Sequence, residues 1–122
     1  MWPLFHYQLE KVSYDERTTT AYRKANQTFA DTMADDMQDN DLVWVQDYHL
    51  MLLPRLLQER AKSKGINIRV GFFLHTPFPN EDFFTTLPSK TEVLDGVLAS
   101  DVVGFHAEEY RRHFIGACLD IL

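Results

Sequence analysis

Several features that often reveal a protein's class are scarce in this chain. It has a single cysteine, Cys118, so it cannot form an internal disulfide, and nothing suggests an oxidising compartment. No apolar run approaches the 18 residues of a membrane span, and no charged-then-apolar signal segment opens the chain. We therefore expect a cytoplasmic protein.

Positive charge is also in short supply. Lys and Arg number 12 against 18 Asp and Glu, which gives a formal net charge of −6. A nucleic acid or an anionic membrane would require a basic patch, so neither is expected as a partner. Glycine-rich phosphate loops and the Gly-x-Ser-x-Gly nucleophile elbow are absent too. The length of 122 residues fits one domain.

Three short apolar runs are the main positive feature of the sequence. They occupy residues 42–45, 70–74 and 102–105, are rich in Val and Phe, and show no polar alternation. Such runs are typical of parallel strands that are buried on both faces. Each run stops at polar residues: Asp47 and His49 after the first, His75 after the second and His106 after the third.

Helical patterns separate the three runs. Ala21, Ala25, Phe29, Met33 and Met37 recur every four residues and predict a helix with these side chains on its buried face. Further helices are expected from about residue 54, over 91–99 and from about 108. The alternation of strand and helix predicts an α/β fold with a parallel, Rossmann-like sheet.

In an open parallel sheet, ligands lie beyond the carboxyl ends of the strands. Asp47, His49, His75 and His106 should therefore converge on one edge of the sheet. A carboxylate at the end of a buried strand needs partners, and sugar hydroxyls are suitable ones. A helix amino-terminal cap is the alternative explanation for Asp47.

The other polar residues also have two explanations each. His75 is held in a proline-rich loop and serves either a binding site or the core, where backbone groups would satisfy it. Trp2 suits either the core or stacking on a sugar ring. A metal site is disfavoured because no His-x-x-x-His or Cys-x-x-Cys spacing occurs.

Five segments together resemble the trehalose-6-phosphate synthases of glycosyltransferase family 20. They read WPLFHY, ANQTF, WVQDYHLM, FFLHTPFP and VGFH, at residues 2–7, 25–29, 44–51, 72–79 and 103–106. The resemblance covers essentially the whole chain, in order and with compatible spacing. It implies that residues 1–122 form part of the amino-terminal, acceptor-side lobe of a two-lobed GT-B enzyme. The donor-binding lobe is absent from this stretch.

The resemblance also implies an activity and a set of site residues. Such enzymes transfer glucose from UDP-glucose to glucose 6-phosphate with retention and without a metal, giving α,α-trehalose 6-phosphate and UDP. Asp47 would hold the acceptor sugar, Trp2 would line the acceptor pocket, and His75 with Thr76 would lie beside the transferring glucose. Where the family often has His, this chain has Gln46.

The resemblance leaves important parts of such an enzyme outside the chain. The arginine and tyrosine for the acceptor phosphate would precede Met1, and the cationic groups for the donor diphosphate would follow Leu122. We therefore expect the 122 residues alone to be inactive and the parent enzyme to act with its second lobe. A homo-oligomer or a synthase/phosphatase complex is possible for that parent. A non-catalytic, sugar-phosphate-binding regulatory relative and a transferase for another acceptor are the alternatives.

Overall fold

The computed structural model describes residues 16–79 and 89–122. Within these ranges the chain alternates helices and strands, as the sequence predicts. The elements in order are α1 (Glu16–Asp36), β1 (Leu42–Gln46), a short 3-10 turn (Tyr48–Leu50), α2 (Leu53–Lys64), β2 (Arg69–Leu74), α3 (Lys90–Leu98), β3 (Val102–Phe105) and α4 (Glu108–Ile121). Trp2 lies outside the described residues.

The three strands form one parallel sheet in the order β1-β2-β3. Val45 pairs with Phe72, and Phe72 pairs with Val103, so side chains in register share a face. The carboxyl ends of all three strands therefore meet at the same edge of the sheet, which confirms the predicted convergence of the strand ends.

One face of the sheet carries the hydrophobic core. Val45, Phe72 and Leu74 are at most 2% exposed and belong to the same buried cluster as residues from all four helices. Strands that follow one another in spatial order, joined by right-handed crossovers, place their connecting helices on the same side. We call this side the inner face.

The opposite, outer face is partly exposed, so the expectation that the strands are buried on both faces is wrong. Leu42, Trp44 and Val102 are 72%, 54% and 60% exposed. The Trp44 ring lies across Gly71, where an added Cβ would come within 2.2 Å of Trp44 Cζ3. No described helix is inserted on this side, because all three strands follow one another in order.

The buried face of α1 is also different from the one predicted. Ala21, Ala25 and Phe29 are exposed, and Phe29 retains 50% of its surface. The buried stripe lies one residue further along and consists of Tyr22 (partly buried), Asn26, Ala30, Met33 (partly buried), Ala34 and Met37. The prediction is confirmed for Met33 and Met37 and wrong for Ala21, Ala25 and Phe29, because Asn26, which is fully buried, interrupts the apolar periodicity of the true face.

Candidate functional site at the carboxyl ends of the strands

Asp47 begins the loop that leaves β1. Its backbone N–H donates to the carbonyl of Phe73 at 2.8 Å, so the residue is fixed to the end of β2. Its φ of 70° and ψ of 176° lie in a region that only glycine occupies easily, at a cost of about 1–3 kcal/mol for other residues. A strained, non-glycine residue of this kind is typical of functional sites.

The Asp47 carboxylate is only partly engaged by the protein. One oxygen, Oδ1, accepts a hydrogen bond of 3.0 Å from the backbone N–H of Tyr48 and caps the 3-10 turn. Within residues 16–79 and 89–122, Oδ2 accepts no hydrogen bond. The capping explanation therefore holds for this short turn, whereas α2 begins after Leu52 and has no side-chain cap. Among the described residues, the second carboxylate oxygen is therefore without a hydrogen-bond donor.

Two side chains of α1 hold the turn that follows Asp47. The Tyr22 hydroxyl donates to the carbonyl of Tyr48 at 2.7 Å and accepts from the N–H of Met51 at 3.0 Å. Asn26, one helical turn later, donates from Nδ2 to the carbonyl of His49 at 3.1 Å. Three backbone groups of the turn are thereby fixed by one helix, which keeps Asp47 in its strained conformation.

Burial raises the pKa of two tyrosines at this site, Tyr22 of α1 and Tyr48 of the loop. It raises the pKa of Tyr22 well above the usual value, so the phenol stays neutral and can donate and accept at once. Burial also raises the pKa of Tyr48, with a further contribution from the neighbouring Asp47 charge. The neutral hydroxyl of Tyr22 therefore serves as both donor and acceptor to the backbone of the turn after Asp47.

His75 lies at the end of β2 between two polar neighbours from the adjacent strands. Its Nε2 is in hydrogen-bond contact with Oε1 of Gln46, and its Nδ1 lies 3.3 Å from Nε2 of His106. The two imidazoles are 5.3 Å apart between ring centroids, and Phe73 contacts both rings. The structure thus brings His75 and His106 together, and it adds Gln46, to which the sequence had assigned no role.

Thr76 follows immediately and has a hydroxyl that no described group satisfies. Its Oγ1 is buried and makes no hydrogen bond within the described part of the chain. Phe78 and Pro79 are buried behind it, so the segment is anchored to the core. A buried hydroxyl without a partner is unusual and calls for a specific explanation.

His49 is the member of the predicted group that stays apart. Its ring is exposed and stacks on Tyr48 at 4.2 Å between centroids, and within the described ranges it makes no hydrogen bond or ring contact with the imidazole pair. The sequence had assigned no role to Tyr22 or Asn26, the two side chains of α1 that hold the loop after Asp47. A buried asparagine on a helix is a usable signal, but the sequence alone does not show which helical face is buried.

Two structural features are absent from the described residues. Across residues 16–79 and 89–122, no group of three His, Cys, Asp or Glu side chains is placed to hold a metal ion. In the same ranges no helix has both the length and the apolar character to cross a membrane. The site at the strand ends is therefore described by its hydrogen-bonding groups alone.

Comparison with known families decides the class of the chain. The profile of "Glycosyltransferase family 20" matches residues 1–122. The chain belongs to glycosyltransferase family 20. This family-20 chain is also 51% identical over 122 residues to the "Alpha,alpha-trehalose-phosphate synthase [UDP-forming]" of Schizosaccharomyces pombe. That match covers all of this chain and 24% of the relative, so the chain spans about a quarter of the length of the curated protein.

Solved structures of family-20 relatives show the same fold. A UDP-forming trehalose-phosphate synthase from Burkholderia xenovorans, in complex with glucose-6-phosphate, matches with a TM-score of 0.88 and 29% identity. That match covers 98% of this chain and 25% of the other. The amino-terminal domain of Candida albicans trehalose-6-phosphate phosphatase matches with a TM-score of 0.88 and 36% identity, over 100% and 25% of the two chains. The predicted fold class, part of the amino-terminal region of a GT-B glycosyltransferase, is confirmed.

Proposed function

We propose that this chain is the acceptor-side portion of a retaining glycosyltransferase that moves glucose from UDP-glucose to glucose 6-phosphate. The products are α,α-trehalose 6-phosphate and UDP. Family membership and the similarity to UDP-forming synthases support this function. The observation that carries it is the partly unsatisfied carboxylate of Asp47, kept in a strained backbone conformation at the strand ends.

Asp47 would bind the acceptor sugar. An ionised carboxylate is an acceptor only, and its free oxygen suits one or two sugar hydroxyl donors. Hydrogen bonds to a charged partner contribute about 1.5–3 kcal/mol each. Tyr22 and Asn26 would hold the loop in the conformation that presents this oxygen, so the acceptor would meet a preorganised group.

His75 and Thr76 would lie beside the transferring glucose. The orphan hydroxyl of Thr76 and the imidazole of His75 offer polar contacts at the same edge of the sheet. Trp2 would line the acceptor pocket, a role that rests on the family resemblance because this residue lies outside the described ranges. No cofactor or metal is assigned to these residues.

The remaining steps would require groups outside this chain. Departure of UDP develops negative charge, which preorganised cationic groups of a second lobe would stabilise. We therefore propose that the 122 residues are inactive alone and work, in the cytoplasm, as part of a longer enzyme. The substrates are its first partners, and a homo-oligomer or a complex with a phosphatase is a further proposal.

A chimera tests this function directly. The 122 residues of this chain replace their counterpart in the S. pombe synthase, and glucose transfer from UDP-glucose to glucose 6-phosphate is measured. The chimera should turn over, and Asp47→Asn should raise the KM for glucose 6-phosphate by about 10- to 100-fold, because a charged acceptor is lost. The KM for UDP-glucose should change much less.

Asp35→Asn is the matched control. It removes the same charge from a residue that is exposed on α1. An unchanged acceptor KM in Asp47→Asn would contradict the assignment of this carboxylate. Transfer to other sugar phosphates, but not to glucose 6-phosphate, would instead point to a transferase for another acceptor.

A second function is favoured by one comparison. The similar Candida domain belongs to a protein named for a phosphatase, so this fold region also occurs in proteins that are not named synthases. A non-catalytic relative that binds sugar phosphate and regulates a partner is therefore the second candidate. A chimera that folds and binds glucose 6-phosphate, yet transfers no glucose, would support the regulatory function.

A further inference from the structure

Both ring nitrogens of His75 are occupied by side chains from the neighbouring strands. Gln46 at the end of β1 contacts Nε2, and His106 just after β3 contacts Nδ1 at 3.3 Å. All three residues lie on the outer face, since Gln46 pairs with Phe73 and Phe73 pairs with Gly104 in the sheet register. The imidazole is therefore held from both sides.

The hydrogen-bonding chemistry of these partners selects one tautomer. An amide oxygen can only accept, so the nitrogen that faces Gln46 Oε1 must carry the hydrogen. In the neutral ring of His75 the other nitrogen, Nδ1, is then an acceptor, and Nε2 of His106 must donate to it. One consistent chain of donors runs from His106 through His75 to Gln46.

The orientation of the two rings has its own support. The Phe73 ring lies 4.8 Å from the His75 ring and 4.9 Å from the His106 ring, between centroids. It sits over Gly104, where an added Cβ would come within 2.6 Å of Phe73 Cδ2. The absence of a side chain at 104 therefore makes room for the ring against which both imidazoles pack.

We infer that Gln46 and His106 are positioning residues that hold His75 in one orientation and as its Nε2–H tautomer. This inference deepens the proposed function and rests on it for the role of His75 beside the transferred glucose. A sugar oxygen that displaces Gln46 would meet an N–H donor. A sugar hydroxyl that displaces His106 would meet a lone pair.

The tautomer can be measured without any enzymatic activity. The 122-residue chain is prepared with ¹⁵N-labelled histidine, and two-bond proton–nitrogen spectra are recorded at about pH 8.5. Single substitutions of the five histidines assign the signals. We expect the Nε2–H form of His75 to exceed the other by about tenfold, which is what one net hydrogen bond provides.

Variants of Gln46 separate positioning from a general structural effect. Gln46→Met keeps the length of the side chain but removes the acceptor, so the excess should fall by several-fold without vanishing, because His106 still donates to Nδ1. Gln46→Glu restores an acceptor oxygen and should restore the excess. Gln38→Met, at an exposed position before β1, is the matched control and should leave the spectrum of His75 unchanged.

A mainly Nδ1–H ring in the unsubstituted chain would overturn the inference, because the amide of Gln46 would then present its NH₂ group. An unchanged tautomer ratio in Gln46→Met would overturn it as well. If Gln46→Met unfolds, His106→Phe provides the second variant. The ring-nitrogen signals of His75 should then shift, because Nδ1 has lost its neighbour. Loss of glucose transfer by the chimera would count against the proposed function, whereas the tautomer ratio tests this inference alone.

Discussion

The two faces of the sheet differ in what they do. On the inner face Phe72 is fully buried and packs in a cluster shared with the helices. On the outer face Trp44 keeps 54% of its surface exposed and merely covers Gly71. The His75 and His106 pair extends the outer face beyond the strand ends. Folding energy is therefore concentrated on one side of the sheet and candidate chemistry lies at the edge of the other.

The largest expected contrast comes from truncating one aromatic side chain on each face. Phe72→Ala should lower the free energy of unfolding by about 3–5 kcal/mol, because it removes buried surface and leaves a cavity. Trp44→Ala should lower it by less than about 1 kcal/mol, because much of the ring is already in water. Urea unfolding measures both, and equal losses would show that the outer face also carries folding energy.

Adding a single methyl group sharpens the comparison. A Cβ at Gly96 of α3 would lie 2.5 Å from the carbonyl oxygen of Met51 and 2.9 Å from Cα of Leu52, and neither can move alone. Gly96→Ala should therefore cost about 1–3 kcal/mol or more, despite the better helix propensity of alanine.

Gly71→Ala on the outer face is the control for this substitution. Its Cβ meets the half-exposed ring of Trp44, which can swing into solvent, so the loss measured by thermal unfolding should be smaller than at Gly96. A larger loss of stability at Gly71 than at Gly96 would show that the inner side is not the more rigidly packed one.

The link between α1 and the Asp47 loop should have an intermediate effect. Asn26→Ala leaves the carbonyl of His49 without its donor, so unfolding free energy should fall by about 1–3 kcal/mol. In the chimera it should also weaken glucose 6-phosphate binding, because the loop loses one of its three hydrogen bonds to side chains of α1. Thr32→Ala, at an exposed position of the same helix, is the control and should change neither quantity. An unchanged affinity for glucose 6-phosphate in Asn26→Ala would show that the conformation of the loop does not affect binding.

The smallest effect is a pH dependence that arises at Tyr22. Burial raises its folded-state pKa above the usual value of about 10, so its stabilising contribution is present below about pH 10 and is lost as the pH rises above it. One such group changes stability by at most about 1.4 kcal/mol per pH unit. Unfolding followed from pH 9 to 11 should show a steeper decline for the unsubstituted chain than for Tyr22→Phe. Parallel declines would assign the effect to other tyrosines.

The sequence predicted the part of the site that depends on strand ends. Unbroken apolar runs identify parallel strands, and parallel strands place Asp47, His75 and His106 at one edge whatever the packing above them. The exposure of Trp44 and Leu42 could not be predicted, because apolar content does not show whether the crossover helices cover one face or both.

Two details at the loop were beyond sequence reasoning for a different reason. The left-handed backbone of Asp47 leaves no trace in the sequence, since glycine, the usual signal, is absent there. Asn26 is buried because its amide meets backbone groups 4 and 23 residues away, and the second of these contacts exists only in the folded chain. Polar residues of this kind are recognised by their partners and not by their own hydropathy.

The strained backbone conformation of Asp47 also predicts how this position would change among related chains. Glycine at this position would relieve about 1–3 kcal/mol of conformational cost, so stability alone would favour its appearance once the carboxylate lost its task. Relatives that have abandoned sugar binding would then drift toward glycine, while those still under selection would keep the costly acid. The chain described here has aspartate at this position.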